Sequence, residues 1–142
     1  FIIASVSMFF LNNSDVNAKN TYFNDAKKLF DSKKYKDSKF YFEKDIVFNP
    51  KSEDSYLYLA KIFKEEGNDI SEENNLNTVI LLNPKNEEAI YLLTLLNIKN
   101  SNFSKAKELI NTFNLVCKKI CSSKLELQKK LDSSLKSEWT EI

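Results

Sequence analysis

Residue types that catalysis and turn-rich folds depend on are scarce or missing in this 142-residue chain, which has one Gly, two Pro and no His. Because β-sandwiches and barrels need frequent turn residues, this composition favours helices joined by short loops. The absence of His removes the commonest general base and the commonest metal ligand. A single Gly is too few for a glycine-rich phosphate loop. The sequence therefore predicts an all-α protein that is not an enzyme and holds no cofactor or metal.

The charged residues argue against nucleic acid as a partner. All 21 basic residues are Lys, and with 20 acidic residues the net charge is only +1. Nucleic-acid-binding domains usually carry a clear basic excess and use the forked guanidinium of Arg. Hydrophobic residues make up 42% of the chain and aromatics 13%, which is enough for a packed core. The expected partner is another protein or a peptide.

The first eleven residues, FIIASVSMFFL, carry no charge and suit the apolar part of an export signal better than a membrane span. Val16 and Ala18 satisfy the small-residue rule for signal peptidase, which predicts cleavage after Ala18 and a periplasmic or secreted protein. Since the chain begins with Phe1 and not Met, we interpret residues 1–18 as a signal peptide truncated at its start. Two alternatives remain open: an uncleaved membrane anchor with cytoplasmic repeats, or a helix of the fold itself.

The chain contains an internal repeat. Asn49-Pro50 recurs as Asn83-Pro84, and each pair is followed by Lys and then by acidic residues and an apolar stretch of helical period. We take the interval from Pro50 to Pro84 as the repeat period. Alignment on these prolines gives three registers, each with two helical stretches: 19–52, 53–86 and 87–120, the last with Lys118 in place of proline. Residues 122–137 predict one further helix that caps the stack, and 138–142 form a tail.

The repeat resembles that of the tetratricopeptide repeat (TPR) family, whose units have the same period, over roughly residues 19–120. Three positions carry the resemblance: a bulky residue that opens the first helix, a small one where the two helices cross, and a small one in the second helix. The residues at these positions, with the prolines, are Tyr22, Tyr56 and Ile90; Ala26, Ala60 and Thr94; Ser38, Glu72 and Ala106; Pro50 and Pro84. The resemblance implies a right-handed α-solenoid of three helix–turn–helix repeats, from which Glu72 departs.

In that family the first helix of each pair lines the concave side, so the resemblance also implies a partner-binding groove. The residues expected there alternate between apolar or aromatic groups and ammonium groups: Phe23, Lys27, Phe30, Leu57, Lys61, Lys64, Tyr91, Leu95 and Ile98. The alternative is that several of them pack between adjacent pairs. The family's clamp for a terminal carboxylate is not reproduced, because Leu57 and Leu92 stand where polar groups are needed.

Cys117 and Cys121 are the only cysteines, and their spacing leaves their role open. Two thiols without His do not make a structural zinc site. They are buried or idle thiols or, if the helix breaks near Lys118 and Lys119, a structural disulfide formed in an oxidising compartment. A redox role is the third alternative, disfavoured because the spacing is not C-x-x-C.

These observations predict a non-catalytic adaptor, exported across the membrane, that binds a partner protein or peptide through the concave side of a TPR array. Two alternatives remain: a membrane-anchored TPR protein with cytoplasmic repeats, and a truncated TPR module of a larger enzyme.

Overall fold

A computed structural model describes residues 14–140, with side chains placed for residues 21–136. This part of the chain is helical and contains no strand. The helices are α1 (Ser14–Asp31), α2 (Tyr35–Phe48), α3 (Glu53–Glu65), α4 (Asp69–Leu82), α5 (Glu87–Lys99), α6 (Phe103–Val116) and α7 (Lys124–Thr140), with a short 3₁₀ turn at Cys121–Ser123 before α7. The expected all-α architecture of three helix pairs and a capping helix is confirmed.

The helices form two layers. The odd-numbered helices lie side by side: the rings of Phe23 and Tyr58 are 6.0 Å apart between α1 and α3, and Tyr91 on α5 donates a hydrogen bond of 3.1 Å to Glu126 on α7. The even-numbered helices form the outer layer, each packed against the helix before it and the helix after it. In this arrangement α7 occupies the place of a fourth first helix. It covers the end of the stack with Leu127 and Leu131, both buried.

Each helix pair turns at the same backbone device, which recurs once per repeat period. Lys33, Gly67 and Ser101 have φ of 58°, 69° and 58°. In each case the next residue's N–H donates to a carbonyl five positions earlier, as Asn68 does to Phe63 at 2.9 Å. This is the Schellman ending of a helix, whose left-handed position favours glycine. Gly67 therefore fills a place that its two counterparts occupy at a steric cost.

Replacing Ser101 with Gly should raise the free energy of unfolding by about 1 kcal/mol, and Gly67→Ala should lower it by about 1 kcal/mol. A Cβ on Gly67 would meet no atom within 4 Å, so the second effect is one of backbone conformation alone. Urea unfolding followed by circular dichroism measures both. Ser104→Gly, inside α6, is the matched control and should destabilise. A stabilising Gly67→Ala would show that these turns are not held in the left-handed region.

The small residues Ala26, Ala60 and Thr94 lie fully buried where the two helices of each pair cross. In the first pair, the hydroxyl of Ser38 donates a 2.8 Å hydrogen bond to the Ala26 carbonyl. In the third pair, Ala106 occupies the position that Ser38 has in the first pair, and it is also fully buried. Larger groups at these points would force the paired helices apart.

Glu72, the residue that departs from the repeat pattern, is accommodated by burial in the middle pair. Burial raises the pKa of Glu72, an effect that Lys64 opposes and Asp69 reinforces. A carboxylate with a raised pKa destabilises the fold when it is ionised, and that cost disappears as the pH falls through the folded-state pKa.

Glu72→Gln should therefore raise the free energy of unfolding at neutral pH by on the order of 1 kcal/mol. The gain should shrink as the pH falls towards the ordinary Glu range, where the wild-type carboxyl is neutral as well. Chemical unfolding across a pH series measures it. Glu73→Gln is the matched control, because the Glu73 side chain is exposed and the substitution should give no change. A gain that persists undiminished in acid would contradict this account.

The core divides into two clusters along the stack. The smaller one, between α1, α2 and α3, centres on Phe42 and Ile62 and is rich in aromatic rings. The larger one runs from α3 to α7 and is mostly aliphatic. Among the residues expected to pack the repeats, Tyr22 stacks on Phe48 at 5.6 Å and Tyr56 lies against the larger cluster. The two prolines, Pro50 and Pro84, lie exposed in the turns after α2 and α4.

Cys117 and Cys121 form a disulfide, with Cα atoms 5.3 Å apart. Helix α6 ends at Val116 and Cys117 is extended, so the two cysteines lie in a loop and not on one continuous helix. The same loop binds the start of α5: the Glu87 carboxylate accepts hydrogen bonds from the backbone N–H groups of Lys119 and Ile120 at 2.9 and 3.0 Å. We call the disulfide and these two hydrogen bonds the loop clasp.

The first and last helices can be compared with the boundaries expected for the signal peptide, the capping helix and the tail. The capping helix starts at Lys124 and reaches Thr140, later at both ends than the expected 122–137. Helix α1 starts at Ser14, within the segment interpreted as a signal peptide, whose residues 1–13 lie outside the described part; residues 141–142 of the tail do too. No helix within residues 14–140 has both the length and the apolar character that a bilayer span requires.

Candidate partner-binding groove

A cluster of aromatic rings lies on the inner layer between α1 and α3, centred on Tyr58. Its ring stacks on the buried Phe42 at 5.0 Å and 9°, and meets Phe30 edge-on at 5.0 Å. Phe23 contacts both Tyr58 and Phe42. Phe23, Phe30 and Tyr58 are all partly exposed, so the cluster joins the core to the surface. We call these three residues the Tyr58 cluster.

Ammonium groups flank the Tyr58 cluster. Lys61 lies 4.8 Å from the centre of the Tyr58 ring and forms a 2.7 Å ion pair with Glu88 on α5. Lys27 pairs with Asp31 at 3.0 Å, and that carboxylate, with a further contribution from Tyr58, raises the pKa of Lys27. Lys27 is therefore charged at neutral pH.

Lys64 stands one turn beyond Lys61 and is exposed. Its ammonium group has no ion pair within the described residues. Unlike Lys27 and Lys61 it forms no ion pair, although its charge acts on the buried Glu72.

The α5 side of the groove is more aliphatic. Leu95 is partly exposed and lies against the larger core cluster, as does Tyr91. The Tyr91 hydroxyl donates to Glu126 at 3.1 Å, and burial, followed by the effect of Glu126, raises the pKa of Tyr91. The phenol is therefore neutral at neutral pH and fixes α7 beside α5.

Two of the residues expected in the groove are placed differently. Leu57 and Ile98 are 5% and 7% exposed and belong to the larger core cluster. Their side chains pack between adjacent helices. For these two residues, the structure therefore agrees with the alternative that some expected groove residues pack between helix pairs. The other seven lie partly or fully exposed on the odd-numbered helices.

Tyr58 and Glu88 were not among the residues expected from the sequence, although they shape the groove. The groove residues expected on α3 were Leu57, Lys61 and Lys64, which are spaced four and then three residues apart. Tyr58, the neighbour of Leu57, is three residues before Lys61 and therefore lies on the same side of the helix as Lys61. The one indication in the sequence was that Tyr58, which can contact both core and solvent, follows the apolar Leu57. Which of the two faces outward depends on how α3 is rotated against α1, and local sequence does not fix that rotation.

The groove offers apolar contact and positive charge. Within residues 21–136, no three Cys, Asp or Glu side chains come together as metal ligands. Aromatic faces and aliphatic side chains bind apolar groups, while Lys27, Lys61 and Lys64 attract carboxylates. This arrangement suits the side chains of a polypeptide.

No protein-family model matches the sequence, and no curated protein sequence matches it either. Solved structures do match, over most of the chain. The type III secretion translocator chaperone SycD of Yersinia enterocolitica aligns with a TM-score of 0.77 at 13% identity, over 95% of this chain and 97% of that one. The TPR domain of Arabidopsis OM64 aligns with a TM-score of 0.75 at 13% identity, over 84% and 98%.

A third similar structure is the first TPR of Spaghetti (RPAP3) bound to the HSP90 peptide SRMEEVD, with a TM-score of 0.73 at 14% identity over 82% of this chain and 95% of that one. SycD has also been solved in complex with a peptide of the translocator YopD. At these identities the comparisons establish the fold. The chain has the tetratricopeptide repeat fold that the sequence resemblance predicted.

Proposed function

We propose that this protein is a non-catalytic adaptor that holds a segment of a partner protein in the groove of its inner layer. The observation that carries the proposal is the Tyr58 cluster: three partly exposed aromatic rings, backed by the core, with ammonium groups on either side. Two proteins of the same fold, SycD and Spaghetti, were solved with peptides bound, which supports this use of the scaffold.

The partner segment should combine apolar and acidic side chains. An apolar group would lie on the Tyr58 cluster and against Leu95. A carboxylate would meet Lys64, whose charge is unpaired, or Lys27 and Lys61, whose partners Asp31 and Glu88 would be displaced in part. Aromatic anchors usually supply most of the affinity in such interfaces, and rim charges supply orientation.

We propose further that the protein is exported. Two features support this: the uncharged residues 1–11 followed by Val16 and Ala18, and the disulfide between Cys117 and Cys121, since disulfides persist in oxidising compartments. Mass spectrometry of the protein recovered from its native cells tests it. A mature N-terminus at Lys19 supports export with cleavage, whereas an intact N-terminus and cytoplasmic repeats would support the anchored alternative.

Selection from a displayed random-peptide library tests the groove without knowledge of the natural partner. Enriched peptides should carry acidic residues near apolar ones, and Lys61→Glu with Lys64→Glu should weaken their binding roughly tenfold or more. Lys36→Glu with Lys107→Glu, on the outer layer, is the matched control and should leave binding unchanged.

Thermal melting distinguishes loss of binding from loss of fold. If reversal at Lys61 unfolds the chain by repelling Glu88, Lys64→Gln alone retains the test, since it removes a charge that forms no ion pair and places no new charge near Glu72. Failure of any peptide to enrich, or equal binding by the groove and control variants, would contradict the proposal.

A further inference from the structure

A second surface repeats with the period of the fold, on the outer layer and along the edge of the stack where the second helices finish. Val47, Leu81 and Leu115 are each separated by one repeat period and lie in the last turns of α2, α4 and α6. They are 75%, 82% and 86% exposed. Residues one period apart occupy equivalent places in a solenoid, so these three side chains form a row.

A lysine accompanies each member of the row. Lys51, Lys85 and Lys119 lie one helical turn further along the chain, in the turn after each second helix, and are again one repeat period apart and exposed. Within the described residues, none of their ammonium groups forms an ion pair. We call these six residues the lysine–apolar row.

The row concentrates positive charge in a chain whose net charge is only +1. The segments 43–51, 77–85 and 111–119 together contain five lysines and two acidic residues. One of the two, Asp45, is buried and accepts a hydrogen bond from Ser55, which leaves Glu43 as the exposed carboxylate in these segments.

Other carboxylates at this edge belong to the first turns of α3, α5 and α7, on the inner layer. Glu53 accepts from the Asn83 side chain, Glu87 is held in the loop clasp, and Glu88 pairs with Lys61. Asp54 is exposed beside them. Glu126 accepts from the Tyr91 hydroxyl. Four of the five are thus engaged by the protein itself, and none is in the row.

We propose that the lysine–apolar row docks the repeat domain on an anionic lipid bilayer. Apolar side chains that protrude singly, each with a lysine close by, suit a membrane interface, where the hydrocarbon enters the acyl boundary and the ammonium group meets lipid phosphates. A protein partner would instead need a contiguous apolar patch or pockets to receive its own anchors. This edge-on placement leaves the groove of the inner layer open.

Flotation of the full chain with vesicles tests the proposal, using phosphatidylcholine with and without phosphatidylglycerol. The wild type should float with the anionic vesicles and dissociate as salt is raised. Each lysine near an anionic surface contributes about fivefold, so Lys51→Gln, Lys85→Gln and Lys119→Gln together should lower the partition coefficient roughly 100-fold. Val47→Ser, Leu81→Ser and Leu115→Ser should also lower it.

Matched controls lie off the row. Lys36→Gln, Lys107→Gln and Lys129→Gln remove three exposed lysines, and Ile70→Ser with Leu125→Ser removes two exposed apolar side chains. These variants should float like the wild type. Because every variant retains residues 1–13, any contribution of that segment is common to all.

Equal flotation of row and control variants would overturn the proposal, as would equal binding to neutral and anionic vesicles. Sedimentation velocity gives an independent check. A wild-type dimer that the row substitutions dissociate would show that a second copy covers the row, and that also would overturn it.

Discussion

Replacing Phe42 with Ala should lower the free energy of unfolding by about 3–5 kcal/mol, a large share of the stability of a domain of this size. Phe42 is fully buried, and its ring contacts Tyr58 at 5.0 Å and Phe23 at 5.7 Å. The substitution leaves a cavity under the Tyr58 cluster, so the proposed groove should also lose affinity for its selected peptides. Urea unfolding and peptide titration measure the two effects.

Two further variants separate the causes. Phe40→Ala removes the same ring from the same helix, but Phe40 is exposed and contacts mainly Lys44 and Tyr41, so it should cost less than about 1 kcal/mol. Phe42→Leu keeps most of the volume and should cost less than about 1.5 kcal/mol while it removes the ring stack under Tyr58. Full peptide affinity in Phe42→Leu would show that Tyr58 does not need this support.

The spacing of the repeat predicted most of the fold. The recurrence of Asn49-Pro50 as Asn83-Pro84, with small residues at Ala26, Ala60 and Thr94, was sufficient to predict three helix pairs. Gly67 marked one turn, and its φ of 69° is matched at Lys33 and Ser101, where the residue type gave no such indication. Backbone geometry in a repeat is imposed by the packing of neighbouring pairs, so one glycine identifies a turn that two other residues also adopt.

Sequence reasoning was weakest where a residue's role depends on its neighbours in space. Glu72 looked like a disruption of the middle repeat, yet it is buried there with a raised pKa. Leu57 was expected in the groove and lies in the core, whereas Tyr58 beside it faces the groove. The difference between them is a rotation of about 100° around the helix, fixed by contacts of α3 with α1 and α2 that no local pattern contains.

The state of the two cysteines also depended on the three-dimensional structure and could not be decided from their spacing. A spacing of four residues fits either one helix turn or a bridged loop, and the decision rests on where α6 ends. It ends at Val116, and Cys117 takes an extended conformation, which brings Cys121 within bonding reach. The composition of the loop, with two lysines between the cysteines, did not require that ending.

Opening the loop clasp should release the capping helix before the rest of the fold. By the loop-entropy argument, a disulfide that closes so short a loop contributes about 2 kcal/mol. Reduction, or Cys117→Ser with Cys121→Ser, should therefore speed hydrogen exchange in α7 by roughly 30-fold, since Leu127 and Leu131 hold that helix through packing that the loop positions.

The hydrogen bonds of the clasp add a dependence on pH. Backbone N–H groups of Ile120, Lys118 and Lys119 lower the pKa of Glu87 below the ordinary Glu value of 4.5. A lowered pKa stabilises the fold at pH values above the unfolded-state pKa, and this contribution is lost as the pH falls through the folded-state value. The intrinsic exchange rate itself falls with pH, so the measured quantity is the protection of α7 relative to that rate. This protection should fall as the pH is lowered, and Glu87→Gln should remove the pH dependence.

Helices α3 and α4 provide the internal control. The loop clasp does not contact α4, and only the first turn of α3 lies near the clasp. Their exchange should stay the same when the disulfide is reduced. If reduction leaves α7 as protected as before, the capping helix is held by Leu127, Leu131 and the Tyr91–Glu126 hydrogen bond alone. If all helices accelerate together, the stack unfolds as one cooperative unit and the cap is not its weakest part.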